Sequence, residues 1–169
     1  MPATLELTER PIPRDGGTYA LILQLYAGRL LQVGKLGAFN FPAGHYIYIG
    51  SALGPGGLAG RLGRHVAPVK PDSRLHWHVD YLRRWTTIAE VWFAEHSVQH
   101  EHDWAVIAGR LPGSIVPAPR FGASDCRCPS HLFHFEDAPI AERFQASLGL
   151  LFPADRPLSV IRMGERTER

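Results

Sequence analysis

Residues 44–66 read GHYIYIGSALGPGGLAGRLGRHV, and this stretch limits the possible folds more than any other. Tyr46, Ile47, Tyr48 and Ile49 alternate aromatic and β-branched side chains, the pattern of a half-buried strand. Gly50 ends that run, and GPGG marks a turn. Leu58, Leu62 and Val66 then recur at i, i+4 and i+8, the core-facing stripe of a helix. Gly60 and Gly63 weaken that helix by about 1 kcal/mol each relative to alanine. Arg61 and His65 are also four apart, so they share a face beside the stripe. A strand, a glycine turn and a basic helix are thus placed side by side.

The rest of the chain supplies partners. GTYALILQLYAGRLLQVG reads as two strands around Ala27-Gly28, with Tyr19, Leu21, Leu23 and Leu25 on one face of the first. KLGAFNFPAG reads as a loop. APVKPDS breaks the arginine helix, and Asp72 or Ser73 can cap a second one, RLHWHVDYLRRW, with Leu75, Val79 and Leu82 inward. TIAEVWFAE is a further strand. VQHEHDWAVIAGRL is a third helix, stopped by Pro112 or Gly113. A proline- and glycine-rich stretch ends in a short strand, Leu132–Phe135, and APIAERFQASLGLLF is a last helix with Ile140, Phe144 and Leu148 on one side. RMGERTER reads as a frayed tail. Because the first strands are hairpin-linked, the expected class is α+β, with a small antiparallel or mixed sheet flanked by helices. The expected layout is an N-terminal segment at 1–14, a main domain at 15–136, and a C-terminal helix and tail at 137–169 packing on it.

Composition narrows the function classes. Hydrophobic residues make up 45% of the 169 residues, enough for a core. No run approaches the ~20 apolar residues of a membrane helix, and Glu6, Glu9 and Arg10 stand where a signal peptide would be apolar, so a cytoplasmic protein is expected. The two cysteines, Cys126 and Cys128, are too close to suit a disulfide scaffold. Net charge is only +2. Its distribution says more, since Arg61, Arg64, Lys70, Arg74, Arg83 and Arg84 face only Asp72 and Asp80 between Pro55 and Trp85. Such a segment is either a phosphate footprint or a solvated helical face.

Gly17-Thr18-Tyr19, Tyr48-Ile49-Gly50 and the Arg61/His65 pair, in that order on two strands and a helix, resemble the GIY-YIG nuclease superfamily. HWHVDYL and FGASDCRCPSHLFHF resemble one branch of it, found alone or attached to endonuclease III-type repair enzymes. The resemblance implies hydrolysis of a DNA phosphodiester with one divalent ion, Mg²⁺ or Mn²⁺, and a link to DNA repair and its proteins. It implies that Tyr19 and Tyr48 help take the proton of water, that Arg61 braces the phosphate, and that His65 holds phosphate or relays a proton. A helix carboxylate would carry the metal, Glu101 first and Asp103 as the alternative. Gly50, Arg64, Lys70 and His76 would serve the substrate. Compared with the classical family, the stretch between the two tyrosine motifs is enlarged by an extra strand and the loop at 35–44, and a Gly-Pro-Gly insertion moves the arginine later, leaving Arg64 as the alternative to Arg61. A rival expectation is a nucleic-acid-binding accessory module that kept the fold without catalysis.

Three signals have plainer explanations. His76, His78 and Asp80 match a binuclear metallohydrolase spacing, but the segment scans as a helix, so a packed or DNA-facing helix is preferred. Cys126, Cys128 and His131 make a zinc half-site at most, because structural zinc wants four ligands and wider cysteine spacing. Small buried thiols are the preferred reading there, and a zinc hydrolase is the third choice. Trp77, Trp85, Trp92 and Trp104 read as core.

Overall fold

The computed structural model describes residues 11–70, 72, 74–96, 99–151 and 157–163. Residues 1–10 of the expected N-terminal segment at 1–14, the Ser73 cap and the tail from 164 lie outside them. Strand β1 (Gly17–Leu25) is the axis of the molecule, because both its faces are buried and both its edges are paired. Strands β2 (Arg29–Val33), β3 (Gly37–Phe41) and β4 (Gly44–Ser51) follow, then helices α1 (Gly57–Val66) and α2 (His78–Arg83). Next come β5 (Thr87–Glu95), α3 (Glu101–Arg110), β6 (Leu132–Phe135), α4 (Ala141–Leu151) and β7 (Ser159–Arg162). The main sheet has the order β6-β4-β1-β5-β7 with every pairing antiparallel, as an α+β fold requires. Among the described residues no helix is long and apolar enough to cross a membrane.

The period-2 alternation divides this sheet into two separate cores. Tyr19, Leu21, Leu23, Tyr46 and Tyr48 face α1, α2 and the β2–β3 ribbon, where they meet Leu58, Leu62, Val79, Leu82 and Phe121. Ala20, Ile22, Ile47, Ile49 and Trp92 face α3 and α4, against Trp104, Ile107, Phe144 and Leu148. Each fully buried side chain of this size contributes about 1.5–3 kcal/mol of transfer free energy. The result is a three-layer sandwich with the sheet in the middle.

Several local expectations change. KLGAFNFPAG is not a loop: Gly34–Leu36 form one 3₁₀ turn and Gly37–Phe41 form β3, which pairs only with β2. The extra length between the two tyrosine motifs therefore becomes a two-stranded ribbon. Helix α2 starts at His78, four residues later than the pattern suggested, because the Asp80 carboxylate accepts the backbone N–H groups of His76 and Trp77 and caps it there. Leu75 is only half-buried and Ile140 is 47% exposed, so neither belongs to the inward stripe assigned to it. Trp85 is 45% exposed under the Arg29 guanidinium, and Trp77 is half-buried, so only Trp92 and Trp104 are core tryptophans. Beyond α4 the chain adds β7 to the outer edge of β5, so the C-terminal part extends the sheet as well as packing on it.

Candidate functional site

Antiparallel pairing brings the chemistry to one end of the sheet. Tyr19 near the start of β1 lies opposite Gly50 near the end of β4, and Tyr48 lies opposite Leu132 at the start of β6. The turn after β4 and the approach to α3 after β5 leave from the same end. At that turn Gly56 and Gly57 have φ of +85° and +57°, and a Cβ on Gly57 would sit 2.0 Å from the Arg14 carbonyl oxygen. Only glycine meets both demands, and so α1 can start directly against the segment that leads into β1.

Helix α1 lays His65 over the tyrosines. The Tyr19 hydroxyl and His65 Nε2 are 2.7 Å apart, both residues being almost wholly buried, and the Tyr48 ring stands edge-on to His65 at 6.2 Å. A Cβ on Gly50 would meet the Tyr19 ring at 2.3 Å, so Gly50 makes room for that ring. Burial, opposed by Asp80 and reinforced by Arg61, Arg64 and Arg83, leaves the His65 pKa lowered to about 4. The imidazole is therefore neutral at neutral pH, and Nε2 can accept the Tyr19 proton. Both tyrosine hydroxyls are pushed well above their ordinary range, first by burial; Glu101 adds to this and Arg61 opposes it. Tyr46, on the same face, instead donates to the Pro42 carbonyl and packs on Phe41 and His134, a structural role.

Around this centre, Arg61 and Arg64 stack on the Trp77 ring at 4.4 and 3.7 Å, and His76 lies beside the same ring at 5.7 Å. Two guanidinium groups and an aromatic face thus share one rim, with Arg64 also 3.8 Å from Asp80. Lys70 is exposed on the stretch after α1 and joins no contact with this group among the described residues. The His-x-His-x-Asp spacing forms no cluster: His76 is exposed, His78 Nδ1 accepts the Gly122 N–H, and Asp80 caps α2.

Of the two acidic candidates, Glu101 faces the centre, acting electrostatically on both tyrosines. Asp103 does not; it is half-exposed and pairs with His100 at 3.7 Å. Burial alone would raise the Glu101 pKa, but His131, Gln99 and His102 outweigh it and hold the carboxyl below its usual range. Its Oε1 lies 2.7 Å from His131 Nδ1. Through His131 it borders a second group that the sequence reading left incomplete. His102, Cys126, Cys128 and His131 each bring a donor atom within 4.8 Å of the others, and together they could hold a metal ion. His102 is the missing fourth donor. It comes from α3, far from the Cys-x-Cys-x-x-His run, and its one sequence signal is its place next to Glu101. Without metal, burial and the neighbouring Cys126 push the Cys128 thiol up to about 11.

A cleft of about 610 Å³ runs along α3 beside these cysteines, walled mainly by Ala105, Val106, Gly109, Val116, Pro129 and Phe133. None of Tyr19, Tyr48, Arg61 and His65 lines it.

No curated protein and no solved structure matches the chain. The model of one family, described as "Domain of unknown function DUF123", matches residues 18–150, a span that holds the tyrosine–histidine centre, the arginine rim and all four donors of the cysteine–histidine group. The chain therefore belongs to the DUF123 family.

Proposed function

We propose that the protein is a GIY-YIG-type endonuclease that hydrolyses DNA phosphodiesters at the end of the sheet where Tyr19, Tyr48, Arg61 and His65 meet. The observation that carries the reading is the 2.7 Å contact between the Tyr19 hydroxyl and a neutral His65. As water attacks phosphorus, its proton passes to the Tyr19 oxygen while the Tyr19 proton passes to His65 Nε2. Tyr48 supports the ring of His65, and Arg61 and Arg64 neutralise charge developing on the phosphate. Trp77 holds the two guanidinium groups in place, and His76 offers a further phosphate contact. The phosphorus–oxygen bond to the leaving group breaks, and that oxygen takes its proton from solvent.

Glu101 suits a Mg²⁺ or Mn²⁺ ion in a sparse way, since magnesium uses one or two carboxylates and completes its shell with water and phosphate oxygens. When bound there, the ion would supply charge neutralisation at the phosphate. DNA is the partner in this reading, the cytoplasm the place of action, and repair of structured or damaged DNA the setting.

The burial of Tyr19 and His65 favours a second reading, in which the arginine–tryptophan rim binds DNA without cutting it. Cleavage of supercoiled and branched DNA by the purified protein, with Mg²⁺ or Mn²⁺ added, separates the two. Metal-dependent nicking that falls about 10²–10³-fold in Arg61→Ala and in Tyr19→Phe is expected of the nuclease. Salt-dependent binding weakened by Arg61→Ala, with no product on any substrate, would replace it by the binding module.

A further inference from the structure

We propose that His102, Cys126, Cys128 and His131 are the four ligands of a structural zinc ion, with Glu101 as the outer partner that orients His131. This stands independently of the nuclease reading. Two thiols and two imidazoles are the donors zinc prefers, whereas magnesium and calcium take oxygen. Zinc–sulfur and zinc–nitrogen bonds of about 2.3 and 2.0 Å place neighbouring tetrahedral donors about 3.3–3.8 Å apart. His102 Nδ1 lies 3.1 Å from Cys128 Sγ, and Cys126 Sγ lies 3.5 Å from His131 Nε2, so small side-chain adjustments admit the ion.

The surroundings match the demands of such a centre. A metal-bound histidine commonly offers its second nitrogen to a carboxylate, and His131 presents Nδ1 to Glu101 at 2.7 Å. The Cys128 N–H points at Cys126 Sγ from 3.4 Å, a donor that steadies a thiolate. The loop itself is held in shape before any ion arrives. Arg120 sits at φ +67°, a costly conformation for a non-glycine residue, and its guanidinium bonds the carbonyls of Cys126 and Cys128 at 2.5 and 2.7 Å. A close Cys-x-Cys pair can then offer both sulfurs to one point. With four protein ligands the shell is closed, and the ion ties the irregular 118–131 segment to α3 without entering the reaction. Each thiol that becomes a ligand releases its proton to solvent.

Zinc per chain, measured by mass spectrometry on protein purified from zinc-supplemented cells and dialysed, tests the assignment. One zinc per chain is expected in the wild type, and loss of it in His102→Ala and in Cys126→Ser. Glu101→Gln, which keeps all four ligands, is expected to bind zinc about 10- to 100-fold more weakly in a chelator competition. Should the ligand variants fail to fold, cobalt added to metal-free wild type gives the second readout: the visible bands of a tetrahedral cobalt–thiolate centre are expected. A wild type that takes up neither metal overturns the proposal, as does stoichiometric zinc in a folded Cys126→Ser/Cys128→Ser variant.

Discussion

Tyr19, Tyr48, Arg61 and His65 come from β1, β4 and α1, elements joined by a ribbon and one glycine turn. His102, Cys126, Cys128 and His131 come from α3 and from an irregular segment beyond it. Both groups lie at the same end of the sheet, with Glu101 between them. The first is held by regular hydrogen-bonded structure, and the polar atoms of Tyr19 and His65 face one another in a buried place. The second draws three of its four donors from a segment of turns outside any helix or strand, held by turn-type backbone bonds, one strained residue and side-chain contacts. A metal ion bound as proposed would add little to the first and would cross-link the second, tying its turns to α3.

Breaking that contrast is most direct through pH. His65 titrates at about 4 in the fold against about 6.5 when unfolded, so the unfolded chain binds the extra proton between these values. The stability contributed is complete above pH 6.5 and is lost as pH falls towards 4, by on the order of 3 kcal/mol. Urea titrations from pH 7 to 4 are expected to show a steeper loss for wild type than for His65→Asn. Equal slopes would mean that His65 is not held neutral by its surroundings. The zinc ligands contribute to both slopes alike and cancel in the difference.

The rigid centre is also expected to resist an added methyl. Gly50→Ala would force the Tyr19 ring aside, since the new Cβ falls 2.3 Å from it in a fully packed core. A loss of about 1–3 kcal/mol in denaturant unfolding is the expected cost of such overpacking. An unchanged midpoint would show that the ring moves freely and that the Tyr19–His65 contact is loose.

Gly63 sharpens the comparison from the other side. It lies in α1, two residues from His65, with open space where a Cβ would go. Gly63→Ala is expected to stabilise the protein by about 1 kcal/mol by raising helix propensity, leaving the His65 titration in place. Destabilisation would show that α1 needs its weak point to sit correctly over the sheet.

The tyrosine–histidine centre was readable because alternation put Tyr19 and Tyr48 on one sheet face and helical spacing put Arg61 and His65 on one helix face. The glycine turn told the rest, since it is short enough to fold α1 straight back onto the same sheet face, where it packs across β1 and β5. Other local features escaped for definite reasons. Gly37–Phe41 read as a loop because Pro42 and Gly44 punctuate it, yet β2 offered it a full ladder of partners. Ser159–Arg162 is too short to declare itself a strand and exists through the open edge of β5.

What the sequence by itself determined is most of the elements, most of their buried faces and the pairing of Arg61 with His65, all properties of spacing within one strand or helix. Tertiary structure alone decided that Gly50 is a space for a ring, that Trp77 carries two arginines, and that His102 completes the cysteine–histidine group. Each of these joins residues from different elements across the fold. Periodicity reports which way a side chain points, and only the packing of one element on another reports what it meets.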